Sequence, residues 1–348
     1  MSSFICYDIF PDINDPNDAQ YSNHRIPGMI ITDKGTVIIY TEARRTGSDW
    51  AHMDIFCRRS SDHGKTFGSP IYLAYGSDRH ATVNNPVMMQ DKNGRIHFLH
   101  CESYGINGGR ILRRYSDDDG LTWSDPIDIT ASTMPDYRNA FALGPGHGIC
   151  TKTGTLLVPI WMVPKSFGSP LEEHHPSVLS TLYSTNQGES WQLGDILPTT
   201  TEIHSPNETV AVELSDGRIY LSIRNRTHRR AQAISADGYT GWTDYLPVPE
   251  LIDPICFGSV AVYNRPDAPH TLLFANCEHL SERKNVVLKG SIDNGKTWTL
   301  RRVIDADRGG YVECAVDNTA GLIYVFYEDK AGLTDHLAVL TYDDLLPL

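Results

Sequence analysis

Nowhere in the 348 residues does an apolar run approach the ~18 that a bilayer-spanning helix needs, so no membrane insertion is expected. The opening MSSFICYDIF has no basic stretch followed by an apolar core, which points to a soluble, cytoplasmic chain; one trimmed of a leader would read alike. Cysteine is sparse. The seven (Cys6, Cys57, Cys101, Cys150, Cys256, Cys277 and Cys314) are odd in number, widely spaced and never C-x-x-C, so reduced core thiols are expected rather than a disulfide framework. Positive charge is in deficit: 30 Lys+Arg stand against 43 Asp+Glu, a net −13 that opposes attraction to nucleic acid. Gly-rich phosphate loops and G-x-S-x-G are missing, which argues against nucleotide enzymes and serine hydrolases. Glu172-Glu173-His174-His175 invites a metal, but strand neighbours point to opposite faces and no partner cluster accompanies them; neither metal nor cofactor is expected.

Helical periodicity is hard to find, whereas an octet of the form S-x-D-x-G-x-T-W recurs. It starts at Ser60, Ser116, Ser184, Ser235 and Ser291, at intervals of 56, 68, 51 and 56 residues. The first copy ends in Phe67 instead of Trp, the third carries Asn186 for Asp, and the fourth is decayed. In each, the short polar side chain bonds turn backbone, Gly permits positive φ and the aromatic packs beneath, a structural device rather than a catalytic one. A second series of turn plus β-rich stretch begins at Gly35, Gly94, Gly154, Gly217, Pro269 and Gly321, at intervals of 59, 60, 63, 52 and 52. Six such phrases, with 28 Gly and 20 Pro for turns, predict an all-β fold, one six-bladed β-propeller domain over 1–348 closed by pairing its two ends.

Unrepeated polar segments in a repeat protein are where a site is sought. They are His24-Arg25-Ile26-Pro27, Gly47-Ser48-Asp49-Trp50, Pro206-Asn207-Glu208-Thr209, Ser222-Ile223-Arg224-Asn225-Arg226, Ser281-Glu282-Arg283-Lys284 and Gly309-Gly310-Tyr311-Val312-Glu313. Together with Gly144-Pro145-Gly146-His147-Gly148 and the octets, these segments stand in an order that resembles the exo-α-sialidases of bacterial and animal type over nearly the whole chain.

That resemblance implies roles residue by residue. Arg25, Arg224 and Arg283 match the three arginines that hold the substrate carboxylate, a task suited to a permanently charged, forked donor. Tyr311 matches the nucleophile and Glu208 its general base, since sialidases are the glycosidases that use tyrosine. A neutral phenol avoids the repulsion that a carboxylate nucleophile would meet at an anomeric carbon bearing its own carboxylate. Asp49 matches the acid/base, with Asp54 as the competitor, set aside because Met53-Asp54-Ile55-Phe56 alternates as a strand. Protonation of Asp49 at neutral pH needs partial burial or a substrate-induced rise in its pKa. Arg44 resembles a contact to the C4 hydroxyl, and Glu328 the carboxylate that orients the first arginine. The implied substrates are sialylated oligosaccharides or glycoconjugates. Alternatives remain open: KDN or Kdo as the sugar acid, or a catalytically silent propeller that binds sialylated glycans. Trp50, Trp161, Met162 and Phe257 are candidates for the N-acetyl pocket that would decide the sugar.

Overall fold

A computed structural model describes residues 3–7, 9–10, 20–76, 82–103, 108–134, 139–164, 174–198, 200–329 and 333–346. Six sheets follow one another along the chain, antiparallel except where Gly146–His147 runs parallel to Val87–Met88. The first blade runs Asn23–Ile31, Val37–Arg44, Met53–Ser60 and Ile71–Ala74; the second runs Thr82–Gln90, Ile96–Ser103, Gly109–Ser116 and Ile127–Asp128. The third is built on Phe141–Leu143, Leu156–Met162, Val178–Ser184 and Gln192–Leu193, and the fourth on Thr209–Glu213, Ile219–Ile223, Arg229–Ser235 and Thr243–Ile252. The fifth comprises Ser259–Tyr263, Thr271–Cys277, Val286–Ser291 and Leu300–Asp305. The sixth takes Val312–Asp317, Leu322–Glu328 and Asp335–Thr341 from the C-terminal end and its outer strand, Phe4–Tyr7, from the N-terminal end. The innermost strands pack blade against blade in sequence order, and the sixth meets the first. The result is the six-bladed propeller, with the ring closed by pairing of its two ends.

The second phrase series forms the second strand of every blade, buried almost throughout because a central strand is covered on both faces. The octets follow the third strand. In the second blade, Asp118 accepts the Leu121 and Thr122 N–H groups (3.1 and 2.8 Å) and both the Ser116 and Thr122 hydroxyls (2.8 and 2.6 Å). The octets also join blades. A Cβ on Gly120 would lie 2.8 Å from Ile38 of the first blade, and one on Gly188 2.4 Å from His97 of the second, so only glycine allows this approach and the φ of +82° at both. Since first and third strands run in the same direction, the octets lie on the opposite face of the disc from the starts of the first strands.

The Asp62 and Asp118 carboxyls are both lowered to about 2: a desolvation cost is outweighed by hydrogen bonds, led by the Thr66 and Thr122 hydroxyls respectively. A depressed folded-state pKa gives stability that is present above the unfolded value of about 4 and lost as pH falls toward about 2. Asp118→Ala is therefore expected to lower the thermal midpoint at pH 7 and to flatten its fall between about pH 4 and 2, leaving turnover unchanged. A midpoint unaltered at both pH values would remove the structural role.

Cys57, Cys101, Cys150, Cys256, Cys277 and Cys314 are free thiols, and all of these but Cys150 are fully buried. No helix among the described residues is long and apolar enough to cross a membrane. Among them no three His, Cys, Asp or Glu side chains converge, and Glu172 and Glu173 lie outside the described residues.

Candidate active site

The starts of first strands and the ends of second strands share one face, and there a cavity of about 330 Å³ opens. Arg25, Arg44, Asp49, Glu208, Arg224, Arg283 and Tyr311 all line it. Glu328 stands behind.

Arg25 reaches the cavity through a register shift in the first blade, where Ile26 takes a φ of 63°, a strained value for a β-branched residue. Its Nε donates to Glu328 Oε2 at 2.8 Å. The other Glu328 oxygen accepts the Tyr311 N–H at 3.1 Å, and the Glu328 N–H returns a bond to the Tyr311 carbonyl at 3.1 Å. One buried carboxylate thus fixes both the first arginine and the candidate nucleophile. Arg224 extends from the end of Ile219–Ile223, and its backbone pairs with Asn207 and Glu208 at 2.9 and 3.0 Å. This pairing sets the two side chains side by side: Arg224 Nη1 donates to Glu208 Oε2 and, at 2.9 Å, to the Tyr311 hydroxyl. That hydroxyl donates to Glu208 Oε1 at 2.5 Å. The guanidinium carbons of Arg25, Arg224 and Arg283 stand 5.2, 5.8 and 5.4 Å from the centre of the Tyr311 ring. Arg283 has no carboxylate partner among the described residues, which leaves its donors for a ligand.

Burial pushes the Tyr311 phenol well above its ordinary pKa, and the Glu208 charge adds to this; Arg224 and Arg283 oppose it without prevailing. The phenol is therefore neutral at rest and has a carboxylate acceptor on its proton. Among the described residues, five arginines (Arg25, Arg44, Arg224, Arg226 and Arg283) and two carboxylates (Asp49 and Glu208) line the cavity, so a chain of net charge −13 carries a locally cationic site.

Asp49 lies on an exposed loop, 59% accessible at the side chain, where its Oδ1 accepts Arg44 Nη1 at 2.6 Å. Partial desolvation raises its pKa, but Arg44 and then Arg25 outweigh that, and the net shift is downward. Partial burial therefore does not supply the protonation that the expected acid role of Asp49 would need. Asp54 is 4% exposed and takes bonds from Tyr21 and the Gly76 N–H, away from the cavity.

Two candidates for the substrate pocket are corrected. Met162 is fully buried in the core, and Phe257 is buried behind Tyr311 with ring centres 5.5 Å apart; neither reaches the cavity. Trp50 and Trp161 do line it, bridged by His174 at centroid distances of 5.5 and 5.4 Å. Sequence reading treated His174 only as half of a weak metal tract, because the loop's return to the cavity is a tertiary event. It also passed over Glu42, fully buried, whose Oε2 takes Arg44 Nε and Nη2 (2.9 and 2.6 Å) while Oε1 takes the Asn85 N–H (2.6 Å). A signal for Asn84 and Asn85 existed: Asn84-Asn85-Pro86 follows Arg25-Ile26-Pro27 by 59 residues, and both carry a register shift and a positive φ at the central residue (51° and 63°).

A propeller with an arginine cluster over a buried Tyr–Glu pair defines a class of anion-recognising site. Residues 68–325 match the model of the BNR repeat-like domain, and the chain belongs to that family. It is 26% identical to a sialidase of Bacteroides fragilis over 89% of this chain and 60% of that one. Against a sialidase of Clostridium perfringens it is 30% identical over 64% of this chain and 61% of the relative. The Hadza microbial sialidase Hz136 superposes with a TM-score of 0.83 at 22% identity, covering 94% of this chain and 68% of that structure. The chain thus spans about 60% of the length of the two curated relatives.

Proposed function

We propose that this chain is a retaining exo-α-sialidase, releasing terminal α-linked sialic acid from oligosaccharides or glycoconjugates. The observation that carries the reading is the Tyr311 hydroxyl held between Glu208 Oε1 and Arg224 Nη1 (2.5 and 2.9 Å) beneath three guanidinium groups. Arg25, Arg224 and Arg283 take the substrate carboxylate, which places the anomeric carbon over the phenol. As the phenolic oxygen bonds to that carbon, its proton passes to Glu208; the glycosidic bond breaks, and Asp49 gives its proton to the leaving oxygen. Asp49, now a carboxylate, takes a proton from water, whose oxygen displaces tyrosine, and Glu208 returns the phenolic proton.

In the free enzyme Arg44 holds Asp49 low, and a general acid loses activity as pH rises through its pKa. Arg44→Met is therefore expected to move the alkaline limb of the kcat/KM profile to higher pH; a limb that stays in place removes Arg44 from control of the acid.

The arginines and the Tyr–Glu pair address only the carboxylated anomeric centre, which KDN and Kdo share. The wall of Trp50, His174 and Trp161 offers further contacts by which one sugar could be preferred. The deciding experiment presents matched fluorogenic α-ketosides of N-acetylneuraminic acid, KDN and Kdo to the purified chain. Turnover of the first supports the proposal, and turnover confined to either other sugar reassigns the substrate. Silence on all three with retained glycan binding would make the chain a lectin-like propeller.

A further inference from the structure

Two thiols outside the cavity converge on one atom of the segment that presents Tyr311. Cys256 Sγ and Cys277 Sγ both donate to the carbonyl oxygen of Gly310, at 3.2 and 3.3 Å. Both cysteines are fully buried, so water offers that oxygen no alternative donor from their side. The surroundings are tight: a Cβ on Gly309 would lie 2.6 Å from Cys277 Sγ, and one on Gly310 2.6 Å from Glu328 Cγ.

The loop that delivers Cys256 is itself gripped. Its N–H donates to Asp253 Oδ1 at 2.9 Å, and its carbonyl accepts Arg230 Nη1 at 3.1 Å. Arg230 and Asp253 are an ion pair at 3.6 Å with both side chains at most 1% exposed. The residue before Cys256 is Ile255, a β-branched residue at a φ of 61°, a conformation that persists only where its surroundings enforce it. A buried charge pair is costly, and here it fixes backbone on both sides of one cysteine. Nothing in the proposed chemistry uses this apparatus.

We propose that Cys256 and Cys277 form a thiol clasp on the Gly310 carbonyl that fixes where the next residue, Tyr311, stands against Glu208. Both are positioning residues; neither lines the cavity. The inference rests on the reading of Tyr311 as nucleophile. With the clasp, the Tyr311 backbone is held from three sides: the preceding carbonyl by two S–H groups, its N–H by Glu328 Oε1, and its own carbonyl by the Glu328 N–H. Burial raises the Cys256 thiol to about 12 and lifts Cys277 well above its ordinary value, so both keep the proton that the bond requires. Displacement of a reacting group by a fraction of an ångström costs rate rather than affinity when the binding groups, here the arginines, are untouched.

The test uses the whole chain with Cys256→Ala, Cys277→Ala, the double alanine variant and the double serine variant. Infrared difference spectra are expected to show one S–H stretch displaced by hydrogen bonding lost in each single alanine variant, while that of Cys150, which donates to the Thr151 carbonyl at 3.7 Å, stays in all of them. The double alanine variant is expected to lose about 10-fold in kcat with KM changed by less than about twofold, and the serine pair, which keeps both donors, to recover most of the rate. Unbonded S–H frequencies, or a double alanine variant with wild-type kcat, would overturn the clasp. If the wild type turns over none of the three ketosides, the sialidase reading fails separately. The clasp is then decided by the S–H spectrum and by exchange of the Tyr311 amide, which must quicken in the double alanine variant and would refute the clasp by staying unchanged.

Discussion

Tyr311→Phe is expected to lower kcat by about 10³-fold or more while ligand binding persists. The substitution removes one oxygen, which in the proposed mechanism is the atom that bonds to the anomeric carbon. What remains is the ring, buried against Phe257 and facing three guanidinium groups, so the arginine cluster keeps its support. The loss should therefore fall on kcat and spare the affinity for a carboxylate-bearing inhibitor, which calorimetry measures directly. A fluorinated ketosyl fluoride that slows breakdown of the covalent species should leave an adduct on the Tyr311 peptide of the wild type and none on the variant. Wild-type kcat in the variant would remove Tyr311 from the chemistry.

Arg224→Met carries the second large effect, and it strikes binding, rate and stability together. In the proposed mechanism Arg224 is one arm of the carboxylate clamp; in the structure it donates to the Tyr311 hydroxyl and pairs with Glu208, which is only 9% exposed at its side chain. Removing one member of a buried pair leaves the other charge uncompensated, a cost of about 3 kcal/mol at the lower end of the range for such pairs, because both side chains keep some contact with solvent. Loss of the clamp and of the Glu208–Tyr311 geometry is expected to reduce kcat/KM by about 10³-fold. Arg283→Met is the contrasting variant. With no carboxylate partner among the described residues, it should raise KM with little change in the thermal midpoint. Equal destabilisation by the two variants would show that the Arg224–Glu208 pair has no special structural weight.

Much of this architecture is readable in the chain because it is written as repetition. The octets and the phrases beginning at Gly35 through Gly321 mark turns and central strands by local chemistry, and local chemistry survives in a single sequence. The polar residues that line the cavity were legible for the opposite reason, as segments that interrupt the repeat in the order of a known family. Glu42 and Arg230 were not. One sits near the end of a central strand and the other beside a second arginine, and nothing local distinguishes a buried charge from an exposed one until its partner, Arg44 or Asp253, is brought against it.

The sequence by itself determined the number of blades, the closure of the ring by its two ends, and which polar segments interrupt the repeat. These follow from turn chemistry, strand alternation and spacing, all of them short-range. Only the tertiary structure decided that Asp49 rests as a carboxylate on Arg44, that Met162 and Phe257 stand outside the cavity while His174 enters it, and that two cysteines from the fifth blade and the loop before it close on Gly310. Each of these depends on which atoms of distant segments come within about 3–4 Å of one another, and burial and Coulomb energy change steeply over that range.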